Sequence, residues 1–280
     1  MNTKASGATR WTPRTEPGPR DYVLNLYGLF IRESGGWIAV ADLLALLESL
    51  GVANAPGRSA LSRMKRQGEL EAVSRGAKRG YTLTEPAEEW FADGTERIME
   101  GFPAGHEGWW VLAAISAPEG DRKIRYQIRT RLAGLGFGQL ASGLMIAPAS
   151  ILDEAARALE RADLASYVEL WRSEHVGSTP MDEIISSAWD LPFIAECYAE
   201  YLELAAGVRP PAEDEATFVE YVRHVHAWRE LPFIDPGLPD AHLPDGWPAT
   251  KARAEFEAVS DELRPGAQRH FERIASTTNY

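Results

Sequence analysis

A single cysteine, Cys197, is all the thiol chemistry in this chain of 280 residues. No internal disulfide can form, and a zinc cage built on cysteines is excluded. Within "FIAECYAEYLEL", Cys197 reads as a buried structural thiol. Long apolar runs are missing too: none approaches the roughly 20 residues that span a bilayer. The opening "MNTKASGATRWTPRTEPGPR" has no apolar h-region, which argues against a secretory signal. With Trp11 its only large apolar side chain after Met1, it reads as a disordered tail over 1–19. No P-loop, GxGxxG fingerprint or Ser-His-Asp order occurs. His224 and His226 stand at i, i+2 and so point to different sides of a helix, with no third ligand spaced to join them. His106 and His175 have no partner visible in the sequence. The expectation is a cytoplasmic protein with no catalytic site, metal or cofactor.

Positive charge is scarce overall, with a formal net charge of -12, yet it is concentrated. Between Asn54 and Thr82 the seven cations Arg58, Arg63, Lys65, Arg66, Arg75, Lys78 and Arg79 face only Glu69 and Glu71. The C-terminal half is acidic, as in "PAEDEA" and "SDEL". Such asymmetry points to a local nucleic-acid surface on a body that otherwise repels polyanions.

Three helices lead up to and through that basic segment. "DYVLNLYGLFIRESGG" spaces Tyr22, Val23, Leu26, Tyr27 and Phe30 for one buried face and ends at Gly35-Gly36. "WIAVADLLALLESLG" reads as a second amphipathic helix through Val40, Leu43, Leu47 and Leu50, stopped at Gly51. "NAPGRSALSRMKRQG" reads as a third, with Asn54 as cap, Pro56 in the first turn and Gly68 beyond its end. At 100° per residue, Ala60, Leu61 and Met64 share its inner side. Ser59, Ser62 and Arg66 lie opposite, flanked by Arg58, Arg63 and Lys65. Short hydroxyls let a backbone approach a major groove, and arginines can bind guanine bidentately or grip phosphate. Two strands follow, Leu70–Val73 and Tyr81–Leu83, joined by "SRGAKRG" with Arg75, Lys78 and Arg79. Three helices and a hairpin are the order of a winged helix-turn-helix, expected over 20–94. A winged helix used for protein contacts, or a solvated basic face, is the alternative.

Over 105–180 the pattern is a strand (Trp109–Ser116), the helix "DRKIRYQIRTRLAGLG", a hairpin around Ala141-Ser142-Gly143, the helix "PASILDEAARALERA" and the strand "ASYVELWRSE". This β-α-β-β-α-β order is ferredoxin-like and a candidate dimer element. It resembles the small Cas2-type nucleases. Their metal-holding aspartate at the end of the first strand is Ser116-Ala117 here, and a lone Glu119 or Asp121 makes a poor metal site. Arg122, Arg125 and Arg129 share one helix face, with Lys123 and Arg131 nearby. They suit an anion site, for the phosphates of a coenzyme A thioester or for DNA, or else a solvated face pairing with a neighbour's carboxylates. Over 181–280 three helical segments rich in Trp and Tyr, with a proline-rich connector "DPGLPDAHLPDGWP", read as a helical domain. Trp189 and Trp228 are candidates for an aromatic effector pocket, or plain core.

"ALSRMKRQGEL", "GWWVLAAISAPEGDRKIRYQIRTRLAGLGFGQLASGLMIAP" and "RELPFIDPGLPDAHLPDGWPATKA", in that order, closely resemble the PaaX family of bacterial transcriptional repressors. The resemblance covers roughly Arg20 to Val259. It departs at Glu69, where the family has an aromatic, usually Trp; a looser seat for the third helix or a divergent branch would follow. The resemblance implies a dimeric repressor of an aromatic-acid catabolic operon. Its partner would be double-stranded operator DNA, and its effector an aryl-CoA thioester such as phenylacetyl-CoA. Alternatives are another metabolite as effector, or a winged-helix protein-interaction module.

Overall fold

The computed structural model describes residues 17–101, 108–117 and 120–275. The expected tail falls outside them up to residue 16, as do His106 and Glu119. The chain sorts into two compact units. One comprises Met1–Glu96, Ala199–Arg229 and Thr250–Tyr280, the other Arg97–Tyr198 and Glu230–Ala249.

The elements run as α1 (Pro19–Leu26), β1 (Trp37–Ala39), α2 (Val40–Ser49), α3 (Asn54–Arg66), β2 (Leu70–Arg75), β3 (Lys78–Leu83) and α4 (Glu85–Glu100). Then follow β4 (Trp110–Ile115), α5 (Arg122–Gly134), β5 (Gly138–Ala141), β6 (Leu144–Pro148), α6 (Leu152–Glu160) and β7 (Val168–Ser173). The remainder is helical: α7 (Met181–Ala188), α8 (Leu191–Gly207), α9 (Asp214–Trp228), α10 (Leu231–Ile234) and α11 (Ala249–Ala275).

In the first unit, Pro19 already occupies the first helical turn, where its missing N–H has no partner to lose. The helix continues as a π-helical turn over Tyr27–Ile31. The run expected as one helix from Trp37 divides instead. Trp37, Ile38 and Ala39 pair antiparallel with Thr82, Tyr81 and Gly80, giving the sheet order β1-β3-β2, and only Val40 onward is helical. Asn54 is the first residue of α3 rather than its cap, which is Ala53. Leu26 of α1, Leu43, Leu46 and Leu47 of α2, and Leu61 and Met64 of α3 are all buried and form the base of this unit.

The segment 181–280, expected as a domain of its own, is divided between the two units. Its α9 and α11 close an aromatic cluster around Phe30, whose ring stacks on Phe271 (centroids 5.0 Å apart) and neighbours Phe218 at 5.6 Å and Tyr221 at 6.0 Å. Arg229 reaches Asp21 (2.8 Å) and the buried Asn25 (Oδ1, 3.1 Å) of α1. His270 of α11 meets the Ser49 hydroxyl at the end of α2 at 3.0 Å. The last helix, α11, runs unbroken through Pro265 to Ala275.

The second unit is the expected β-α-β-β-α-β: its sheet order β5-β6-β4-β7, entirely antiparallel, is 2-3-1-4 of the local strands. Val111, Ala113, Met145 and Ala147 pack with Ile128 and Leu132 of α5 and Ala155 and Leu159 of α6. The Gly-Phe-Gly at 136–138 owes its composition to C-terminal residues. Gly136 has φ +95, and a Cβ there would sit 3.2 Å from the Pro236 backbone. A Cβ on Gly138 would lie 2.7 Å from the Ala188 Cβ. Phe137 between them fills the core.

Beside Gly136 lies Arg97, buried, its Nε donating to the Pro232 carbonyl at 2.7 Å and both terminal nitrogens to the Leu135 carbonyl at 3.2 Å. Glu154 is 3.6 Å away, and Phe233 presents its ring face at 5.0 Å. Asp235, also buried, accepts from the Tyr198 hydroxyl (2.9 Å) and the Gly237 N–H (2.8 Å). Burial raises its pKa, against the pull of these donors.

Candidate nucleic-acid interface

The nine residues expected to face nucleic acid (Arg58, Ser59, Ser62, Arg63, Lys65, Arg66, Arg75, Lys78 and Arg79) are all exposed, on α3 and on the β2–β3 hairpin. The opposite side of α3, formed by Gly57, Ala60, Leu61 and Met64, is buried. Gly57 lets the helix sit close to α2, since a Cβ there would stand 3.1 Å from Leu44. A rigid seat on one side and a bare row of cations and hydroxyls on the other follow from this one period.

Two devices position the cations. Asn54, displaced from its expected capping role, accepts the Arg58 Nε at 2.7 Å one turn on, so its side chain orients a cation instead of closing the helix. Trp37 lies across the hairpin: its indole N–H donates to the Val73 carbonyl (3.0 Å), and the Arg75 guanidinium sits over its ring at 5.1 Å. The ring passes over Gly80, where a Cβ would come within 2.4 Å of both the indole and the Ile38 carbonyl. The hairpin turn is short. Arg75 pairs with Lys78 across Gly76-Ala77, and Gly76 (φ +58) supplies the positive φ that two-residue hairpin turns require at their first position. Arg75, Lys78 and Arg79 therefore cluster at the tip.

Glu69, the departure from the expected aromatic, is gripped by Arg20 of α1, whose Nε lies 3.2 Å from each carboxylate oxygen. The hydrogen bond to Glu69 is the main cause of a raised Arg20 pKa. An ion pair thus bridges α1 to the end of α3, where packing on an aromatic was expected.

Sequence reasoning missed Trp37, Gly80, Asn54's orienting role and Arg20. A signal existed for one of them: a glycine inside the strand pattern "KRGYTL" marks a close approach by another group.

The five expected effector residues are divided between the two units. Arg122 is exposed at the start of α5, and Arg125 and Arg129 are part-buried along it. Trp189 donates to the Gly136 carbonyl (2.9 Å) just beyond the other end of α5. Trp228 belongs to the other unit, fully buried and stacked on Phe256 (4.8 Å) beside Tyr201 (5.1 Å). Asp121, weighed as a metal ligand, caps α5 by accepting from the Ile124 N–H at 3.1 Å. No group of three or more His, Cys, Asp or Glu suited to a metal occurs among the described residues. No described helix is long and apolar enough to cross a membrane.

Compared with known proteins, residues 19–87 match a family model for PaaX-like protein. Residues 103–185 match the PaaX protein central Cas2-like domain, and 189–273 the PaaX-like protein C-terminal domain. The chain is similar to the transcriptional repressor PaaX of Escherichia coli (strain K12), 25% identical over 256 residues that cover 88% of this chain and 80% of that protein. Its fold is similar to that of the uncharacterized protein Rv0674 from Mycobacterium tuberculosis. There the TM-score is 0.60 at 23% identity, covering 90% of this chain and 98% of that one.

Proposed function

The chain belongs to the PaaX family, and from that premise we propose that it is a transcriptional repressor whose first unit reads operator DNA as a winged helix-turn-helix. The single observation that carries this is the outer face of α3, exposed from Arg58 to Arg66 while its inner face is buried, with a basic hairpin tip in the same unit. In this reading α3 enters the major groove and the hairpin tip meets phosphate or the minor groove. Trp37 fixes Arg75 before DNA arrives, so less freedom is lost on binding.

The repressor acts as a homodimer whose two reading helices meet successive half-sites. The operon it controls serves aromatic-acid catabolism. An aryl-CoA thioester such as phenylacetyl-CoA releases it by binding a state with misplaced reading helices more tightly. Another metabolite as effector is the second reading, favoured by Trp228, which is fully buried against Phe256 and Tyr201 within its own unit.

Fluorescence anisotropy against DNA from upstream of its own operon, with random duplex as comparison, tests this with and without phenylacetyl-CoA. Preference for its own DNA, lost on adding the thioester, is expected. Preference that ignores the thioester removes the effector alone. No preference, or no binding at moderate salt, leaves a protein-interaction module. Arg66→Ala should weaken operator binding by about 1–3 kcal/mol more than random-DNA binding; equal losses would remove Arg66 from base readout.

A further inference from the structure

We propose that α5 of the second unit is a separate contact for the DNA backbone, a phosphate-gripping face that carries no sequence information. The inference rests on the DNA-binding reading above. Among described helices of eight residues or more, only α3 and α5 contain no carboxylate. In its 13 residues α5 carries Arg122, Lys123, Arg125, Arg129 and Arg131. It is a second island of positive charge in a chain of net charge -12.

The placement of these charges works against the helix. Arg122 and Lys123 stand in the first turn, where the peptide dipoles present their positive end and carboxylates are preferred. Arg122, Arg125 and Arg129 follow one another at i, i+3 and i+7, and like charges at such spacings repel. A solvated face selected only for stability would interleave carboxylates, as α4, α6 and α11 do. Arg122, Lys123 and Arg129 make no ion pair with any described carboxylate. A polyanion laid along the helix removes both penalties at once.

The geometry also fits. Ile128 and Leu132 hold the helix on the sheet, turning Arg122, Lys123, Tyr126 and Thr130 outward. Tyr126 is 69% exposed, an aromatic phenol set among the cations with its hydroxyl free to donate to a phosphate. From Arg122 to Arg129 the stripe rises about 10 Å at 1.5 Å per residue. At one charge per about 1.7 Å of duplex axis, that length faces several phosphates. An extended backbone meets such a stripe better than a compact ligand does.

The test uses the full chain and a long duplex carrying its operator, with binding followed from roughly 50 to 200 mM salt. The R122Q/K123Q/R129Q variant should show a slope of log affinity against log salt shallower by about 2 to 3, since each lost phosphate contact contributes about 0.9. Its affinity should fall by the same factor on operator and random DNA. Thr130→Lys, which adds a cation to the exposed face, should steepen the slope by about 0.9. That second variant keeps the test decisive if the triple variant folds poorly by circular dichroism. Unchanged slopes in both variants overturn the role of α5. Unchanged slopes with loss of phenylacetyl-CoA or inorganic polyphosphate binding overturn it in favour of a small-anion site. A wild-type chain that binds no duplex overturns the DNA reading itself.

Discussion

Gly80→Ala isolates the packing that sets the hairpin. The new Cβ would stand 2.4 Å from the Ile38 carbonyl oxygen and 2.4 Å from the Trp37 indole. Carbon contacts relax near 3.5–4.0 Å, so the overlap exceeds about 1 Å on two sides. Neither obstacle yields easily. Ile38 is paired with Tyr81 in the ladder, and the indole is held by the Val73 carbonyl below and by Arg75 above. The cost therefore belongs at the upper end for overpacking, about 3 kcal/mol. In a unit of this size that is a drop of roughly 6–12 °C in Tm. Calorimetry or urea unfolding followed by tryptophan fluorescence reads it. Gly76→Ala is the comparison: nothing lies within 4 Å of a Cβ there, so only the strain at φ +58 remains, about 1 kcal/mol. Gly80→Ala within 0.5 kcal/mol of wild type would refute the argument, because 0.5 kcal/mol is the ordinary scatter of surface changes. If the clash pushes β1 and Trp37 off β3, Arg75 loses its ring platform, and under the proposed function DNA affinity measured well below Tm should fall as well.

Three other outcomes can be checked. Arg97→Ala should cost about 3–5 kcal/mol, because Glu154 and Asp235 lose their buried cation and the Leu135 and Pro232 carbonyls their donor; urea titration measures it. His224 ionises near 6.5 when exposed, and burial lowers it to about 4 in the folded chain, as it does His226. The unfolded chain then binds more protons between those values, so stability is complete above pH 6.5 and declines as pH falls toward 4. Urea midpoints from neutral to acid pH should fall, and His224→Gln should flatten the decline. Glu69→Gln, at a half-exposed ion pair with Arg20, should cost only about 0.2–1 kcal/mol by thermal unfolding.

The local parts of this molecule were legible in the sequence. The inner face of α3, the hairpin tip and the β-α-β-β-α-β order all follow from periods of 3.6 and 2, which report burial on one side of a single element. What escaped depends on partners far along the chain. Trp37–Ala39 belongs to an apolar run whose period cannot tell strand from helix; the deciding partner is β3, some forty residues on. Gly136 and Gly138 lie inside a stretch that resembles the family, but their reason lies at Pro236 and Ala188. Arg97, an arginine among acidic neighbours in "GTERIMEG", looks like surface until Leu135 and Pro232 are placed beside it. Trp228 shows the same limit: the sequence left it between pocket lining and plain core and could not say that Phe256 and Tyr201 lie against it.

The first unit is assembled from three stretches of chain, the last beginning at Thr250. During synthesis Phe30 leaves the ribosome long before Phe271, the ring that stacks on it. At about 5–20 residues per second the interval is on the order of 12–48 s. Over that time the nascent first unit has its own α1–α3 base but an open aromatic flank, a surface on which a holding chaperone can act. The second unit, complete at Ala249, can close before the first does. A ribosome that stalls before α11 thus releases a chain able to form one finished unit and one exposed flank. Premature termination would then yield a folding fault rather than a finished copy of the first unit.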